Sequence, residues 1–332
     1  MDLYFRRHSE WLLYYNCSFY DPDSWPREER VSKAAAWVFY VSGVIEAILY
    51  LLIIYVLCDK KLRQNFCYRL MLLMALFDLF LIPAITFATG YFLYYGMVYC
   101  DHPVLIYFIG QWLLAGWMGY SLCAVILAFN RCVCFTKAGF LFNDHWETFW
   151  LLLPVGYTIG HFVFDFPVIF NPQYYGWFFN PHLCYYEDLD GVYTNYSHIS
   201  HNVMVAVSIP LCYFIFYFFV RSMRQDQESS KNDNGLFLQI LIVSITLTLG
   251  TLGYFIMQID GVPRIIIYTG HFNWLIVQIS PAITYFTMNQ TFKKKLFRKK
   301  IASSKAGSSV LGSINRPQNT TERPDETFSQ AR

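Results

Sequence analysis

Glu46, Asp78, His161 and Asp165 are ionisable side chains inside otherwise apolar runs, and Arg131 closes another run. A charge in hydrocarbon costs roughly 2.5–3.5 kcal/mol on insertion scales, so each of these groups needs a partner or a task. Paired carboxyls are the raw material of an aspartyl intramembrane protease, and His198 with His201 suggests a metal hydroxylase. Neither chemistry assembles. Asp78 falls in the inner half of its run and Asp165 near the outer end, out of reach of one shared water. Two histidines without further histidine clusters make a weak metal site. None of the runs contains a lysine, so a retinal Schiff base is excluded as well. The expected class is therefore not an enzyme, with no cofactor and no metal.

What remains is an arrangement of polar groups between helices. Glu46 and Asp78 fall at similar depth on antiparallel neighbours, and Gln278 and Ser280 come to the same level. The expectation is a shared polar cluster holding water, a proton or a sodium ion, in which two close carboxyls cannot both ionise easily. The alternative is two separately hydrogen-bonded acids that hold helices together. His161 and Asp165 are four residues apart, hence on one helix face, and a structural pair is weighed there against a ligand contact. Gln111, Trp112 and Trp117, with His161 and Asp165, are the candidate lining of an outer ligand cavity; the competing reading of such aromatics is lipid-facing or core packing.

The elements that must position these residues are seven apolar stretches, at about 34–57, 68–91, 104–133, 149–170, 202–220, 236–259 and 265–288. A helix crosses ~30 Å of hydrocarbon in roughly 20 residues. The composition agrees, at 55% hydrophobic, 20% aromatic and 14% charged, against roughly a quarter charged in a soluble domain. The fold class is all-α: a seven-transmembrane helix bundle. Basic residues cluster after the first stretch (Lys60, Lys61, Arg63, Arg69), the third (Arg131, Lys137), the fifth (Arg221, Arg224, Lys231) and the seventh, whereas the loops after the second and fourth have none. The positive-inside rule then puts the N-terminus outside and the C-terminus in the cytosol. Asn16 and Asn195 head glycosylation tripeptides that fall outside in this topology.

Cys17, Cys100 and Cys184 lie on the oxidising side, and three thiols allow three single bridges. Cys100–Cys184 is the expected one, because it would pin the long loop 171–201 over the bundle mouth. That loop is rich in Tyr, Phe, Trp and Pro and has no Lys or Arg. Its aromatics read as interfacial anchors ahead of a lid. Pro83, Pro154, Pro167, Pro210 and Pro281 lie inside the stretches and are candidate kinks. On the cytosolic side, Asn130 and Arg131 end the third stretch. Residues 289–300 place Phe292, Leu296 and Phe297 on one face among Lys and Arg, an amphipathic helix on the membrane surface. The expected organisation is an extracellular segment 1–33, the bundle 34–288, that helix 289–300, and a disordered cytoplasmic tail 301–332, rich in Ser, Thr, Gly and Pro.

Several stretches, in order, carry a resemblance. They are Gly43-Val44-Ile45-Glu46, Cys67-Tyr68-Arg69-Leu70-Met71, Asp78, Cys100-Asp101-His102-Pro103 and Leu127-Ala128-Phe129-Asn130-Arg131-Cys132. Trp177-Phe178-Phe179-Asn180-Pro181, Tyr193-Thr194-Asn195, Pro281-Ala282-Ile283-Thr284-Tyr285 and Asn289-Gln290-Thr291 follow. From about residue 20 to 300 the chain resembles the nematode serpentine chemoreceptors of class T, within the seven-helix G-protein-coupled receptor family. The resemblance implies that Arg131 is the receptor-core arginine, Asp78 the helix-two aspartate, and Cys100–Cys184 the helix-three-to-loop bridge. It implies a signalling face at Asn130, Arg131, Pro281 and Tyr285. Asn130 and Cys132 replace the acidic and tyrosine neighbours of rhodopsin-like receptors, Ser280-Pro281 is followed by tyrosine one place late, and the sixth stretch lacks the Trp-x-Pro switch. The expected function is a chemosensory receptor of the plasma membrane of a sensory cell or cilium. It would bind a small molecule or peptide in the outer half and activate a heterotrimeric G protein. Its partners are that G protein, the ligand and the lipid bilayer, with no nucleic acid; an odorant-gated channel or a transporter is the alternative.

Overall fold

Each of the seven apolar stretches carries a long helix in the computed structural model, which describes residues 1–18, 20–21, 24–133, 136–185, 188, 190–224, 231–257, 262–289 and 292–295. The expected tail 301–332, and most of the expected surface helix, lie outside the described residues; 292–295 form a helical turn. Three short helices come first: α1 (Asp2–Phe5), α2 (His8–Tyr14) and α3 (Arg27–Arg30). The long elements are α4 (Lys33–Leu57), α5 (Phe66–Ile82) continued by α6 (Thr89–Tyr95), α7 (Pro103–Val133), α8 (Asp144–Phe164), α9 (Tyr196–Arg224), α10 (Lys231–Ile256) and α11 (Arg264–Met288). Among the described residues, four helices are long and apolar enough to cross a membrane: Lys33–Leu57, Phe66–Tyr95, Pro103–Val133 and Tyr196–Phe219.

Local chemistry sets the boundaries. The Asn65 side chain accepts from the amide of Cys67 and so starts α5. Pro103 opens α7, where its missing amide donor is no loss. Gly96, at φ 62°, ends α6 in the left-handed conformation that glycine adopts without penalty. Pro83 has no N–H to give to the α-helical ladder, and residues Pro83–Ala88 widen into a π-helix. Thr86 and Thr89 donate their hydroxyls to the carbonyls of Ile82 and Ala84 in that widened segment.

The fourth stretch departs from expectation. Its helix starts at Asp144 and ends at Phe164, and Asp165 is already extended at ψ 162°. Pro167 therefore lies outside the helix. Proline disfavours helical backbone at the residue before it, and Phe166 occupies that place. The apolar run continues instead into an antiparallel hairpin, β1 (Ile169–Asn171) with β2 (Gly176–Phe178), in which Phe170 faces Trp177. Asn171 accepts from the amide of Gln173 to shape its turn, and Tyr175 takes the left-handed conformation there.

The hairpin is buried. Val168, Ile169, Phe170 and Trp177 are each no more than 3% exposed. Gly110 of α7 makes this approach feasible, because a Cβ there would lie 1.6 Å from the carbonyl oxygen of Val168. The Trp177 indole donates to Thr89 of α6 at 3.0 Å, and Gly176 backs onto His271 of α11. These contacts with α6, α7 and α11 make the long loop a plug. The anchor reading of the loop aromatics is thereby corrected at Trp177, and Phe170, expected at the end of the fourth helix, lies in β1. Interfacial anchors keep a polar edge towards water, whereas these rings fill the bundle mouth.

Candidate ligand site

Beneath the hairpin a narrow cleft of about 20 Å³ separates four helices. Leu114 and Trp117 of α7 form one wall and Val168, just before β1, the roof. His198 of α9, Gly250 and Tyr254 of α10, and Trp274 and Val277 of α11 complete it. Aromatic edges define its shape: Trp274 meets Tyr254 at 4.9 Å and Trp117 at 6.1 Å, both near perpendicular. In this shape the cleft is water-sized in width, so a larger occupant requires these rings to turn. Among the described residues, no Asp, Glu, Lys or Arg lines it.

Neutral hydrogen bonds fix its walls. The Trp117 indole donates to Asn202 Oδ1 at 3.1 Å, and the Asn202 amide lies 3.1 Å from His198 Nε2. One turn on, His201 sits between Ser121 Oγ at 2.7 Å and the Tyr157 hydroxyl at 3.1 Å. His198 and His201 thus join α9 to α7 and α8 as hydrogen-bonding groups. Among the described residues there is no cluster of three or more metal-ligating side chains. His271 is 2% exposed, and neither ring nitrogen has a hydrogen-bond partner among the described residues.

Of the five residues expected to line a cavity, only Trp117 does. Gln111 is fully buried and donates to the carbonyls of His161 and Phe162, tying α7 to the last turn of α8. Trp112 points towards α5, with its ring 4.8 Å from Phe80. His161 and Asp165 pair at 2.5 Å, and Asp165 also accepts from Ser197 at 3.0 Å. They clamp the end of α8 to the start of α9, outside the cleft.

The expected polar cluster divides in three. Tyr50, which was not among the expected members of the cluster, donates to the Gln278 carbonyl at 2.5 Å and hydrogen-bonds the Asp78 carboxyl. Gln278 in turn donates to the Asp78 carbonyl at 3.4 Å. Ser280 lies elsewhere: its hydroxyl is 2.9 Å from Thr246 of α10. Glu46 is fully buried beside the group, within electrostatic range of Asp78, and neither carboxyl oxygen has a hydrogen-bond partner among the described residues. At the other end of the bundle, Asn130 accepts from the Cys67 thiol at 2.8 Å. Arg131 lies within electrostatic range of Cys67, Tyr213 and Tyr285. Asn130, Arg131 and Tyr285 are therefore gathered in one region, with Pro281 buried one turn away on α11.

The disulfide joins Cys17 to Cys100, not Cys100 to Cys184. Asp101 explains the choice. Its carboxylate accepts from Tyr20 at 3.2 Å and lies 3.6 Å from both Arg27 and Arg30, so the amino-terminal segment is held against the start of α7. Cys17 and Cys100 then stand 5.6 Å apart between Cα atoms, inside the usual disulfide range. Cys184 is a free thiol at the far side of the hairpin, beside the Asn171 amide at 3.6 Å. His182 anchors the same layer through Nε2, which donates to the Asn16 carbonyl at 2.9 Å, and burial lowers its pKa. Asn16 itself is exposed, but Asn195 is 4% exposed and accepts from the His198 amide as the cap of α9. A glycan on Asn195 has no room in this fold.

The model of the family described as serpentine type 7TM GPCR chemoreceptor Srt matches residues 1–308. The chain belongs to that family. Among its relatives, serpentine receptor class T-55 of Caenorhabditis elegans is 24% identical over 290 residues, which cover 85% of this chain and 78% of the relative. Membership makes this Srt chain a multi-pass membrane protein of a chemoreceptor family, not of an enzyme family. The resemblance seen in the sequence is borne out.

Proposed function

We propose that this Srt chain is a chemosensory receptor of the plasma membrane of a sensory cell or cilium. Its amino terminus faces outside. It binds a small molecule or peptide in the outer half of the bundle and activates a heterotrimeric G protein at its cytosolic face. The observation that carries the reading is the cleft between α7, α9, α10 and α11, roofed by the buried hairpin and walled by Trp117, Tyr254 and Trp274. A ligand that turns these rings shifts the helices relative to one another only if it binds the two arrangements with different affinity. Asn130, Arg131, Pro281 and Tyr285 are the residues through which that shift reaches the G protein. Asp78, Tyr50 and Gln278, with Glu46 beside them, form the polar layer between ligand and signalling ends. Asn16 is the glycosylation acceptor that fits the fold.

The test is expression of the full chain with a second-messenger readout against panels of odorants and short peptides. A response that requires a co-expressed G protein, and loses at least tenfold in potency in Trp274→Ala, supports the reading. A current persisting in excised patches without nucleotide overturns it in favour of a channel. An epitope at the amino end that stains only after permeabilisation overturns the topology.

A further inference from the structure

We infer that α1 and α2 lie in the interfacial layer of the bilayer, with Phe5, Leu12 and Leu13 seated among phospholipid acyl chains. The segment has two unlike sides. Leu3, Trp11 and Tyr15 are buried against the protein, while Phe5 is 68%, Leu12 54% and Leu13 70% exposed. Single exposed apolar residues need no explanation. These three, however, extend a surface that lipid already covers. Phe5 lies 6.0 Å from Phe108 and Tyr4 5.3 Å from it, which sets α1 alongside the first turns of α7. Val104 and Leu105 of those turns are about half exposed and face outward on a helix long and apolar enough to span the membrane. An exposed apolar face on such a helix meets hydrocarbon, and the face of α1 and α2 continues it.

The segment is fixed at that height from both sides. The first residue donates to the carbonyls of Phe162 and Val163 at the end of α8. Downstream, the Cys17–Cys100 bridge ties the chain to the start of α7. The basic groups nearby are neutralised internally: Arg6 and Arg7 lie 3.5 and 3.0 Å from Asp2, and Arg7 lies 3.2 Å from Glu10. Insertion therefore rests on the apolar side chains, and acidic headgroups are not required.

The test uses the purified full chain in nanodiscs of pure phosphatidylcholine containing a phosphatidylcholine with a diazirine in mid-chain. After irradiation, lipid adducts are expected on peptides spanning residues 5–13. Separately, Leu13→Cys and, as an exposed reference on α3, Glu28→Cys, each with Cys58→Ser and Cys184→Ser, carry a bimane label. Nitroxide on the lipid acyl chain should quench position 13 several-fold more than position 28, and aqueous iodide the reverse. Equal iodide quenching at both positions overturns the inference. So does the absence of adducts on 5–13, or cross-links from that region to a second copy of the chain in place of lipid. None of these readouts depends on a ligand or a G protein.

Discussion

Replacing Trp177 by alanine should loosen the whole outer half of the receptor. Its side chain is 1% exposed and packs on Phe170 at 5.4 Å and Phe92 at 6.0 Å. Truncating a buried tryptophan typically costs about 3–5 kcal/mol from lost transfer energy and the cavity left behind. The indole hydrogen bond to Thr89 adds about 1 kcal/mol, and Thr89 keeps its own bond to the Ala84 carbonyl. Packing therefore dominates, and Trp177→Phe should restore most of the loss. Cys123 is fully buried and Cys132 nearly so, so a thiol-reactive fluorogen reports unfolding of the natural chain in detergent. At ~2–4 °C per kcal/mol, the midpoint in Trp177→Ala should fall by on the order of 10 °C. If the hairpin opens independently of the bundle, the loss shows instead as faster amide exchange across β1 and β2. An unchanged midpoint together with unchanged exchange would refute the claim that the hairpin is packed into the mouth.

Three further outcomes follow from the same geometry. Non-reducing peptide mapping should recover Cys17 linked to Cys100, and Cys184→Ser should leave that species intact; the bridge closes a separation of 83 residues, worth ~4.5 kcal/mol on the chain-entropy model, so Cys17→Ser should lower the unfolding midpoint clearly. Gly110→Ala puts a methyl group into the Val168 carbonyl, so the hairpin must lift, and proteolysis within loop 171–201 should accelerate several-fold while Gly160→Ala, with open space around it, changes nothing. His182 is neutral and buried, so above its ordinary pKa of 6.5 folded and unfolded chains hold the same proton count; below it the unfolded chain takes up a proton first. Stability should therefore fall as pH drops below about 6.5, and His182→Gln, which can still donate to the Asn16 carbonyl, should flatten that part of the unfolding-versus-pH curve.

The helices were legible because an apolar run of some twenty residues has one stable state in lipid, with its backbone hydrogen bonds closed within the run. The same criterion failed at Pro167-Val168-Ile169-Phe170, where the run stays apolar but proline and β-branched residues turn it into a strand. Pairing was less legible than placement. Nothing in the spacing of Cys17, Cys100 and Cys184 reveals that Asp101 gathers Tyr20, Arg27 and Arg30 beside one of them. The cleft was the least legible. Trp117 and Trp274 line it while Trp112 leans on Phe80, and an aromatic residue in a spanning helix looks alike in either setting. The His198–His201 spacing did carry a signal, since it sets both rings on one side of α9, where they hydrogen-bond Asn202, Ser121 and Tyr157.

The π-helical segment Pro83–Ala88 has a consequence for reading relatives of this chain. An i→i+5 ladder accommodates one residue more than an α-helix over the same rise, and each residue turns the helix by about 100°. Faces assigned by counting upward from Asp78 are therefore rotated by roughly a quarter-turn once the count passes Ala88. Thr89 stands just past this point, where its hydroxyl accepts from the Trp177 indole. A homologue without the proline and one residue shorter here would present a different side of its second span to the hairpin, and an alignment that forbids a single-residue gap at this point would compare lipid-facing positions with mouth-facing ones.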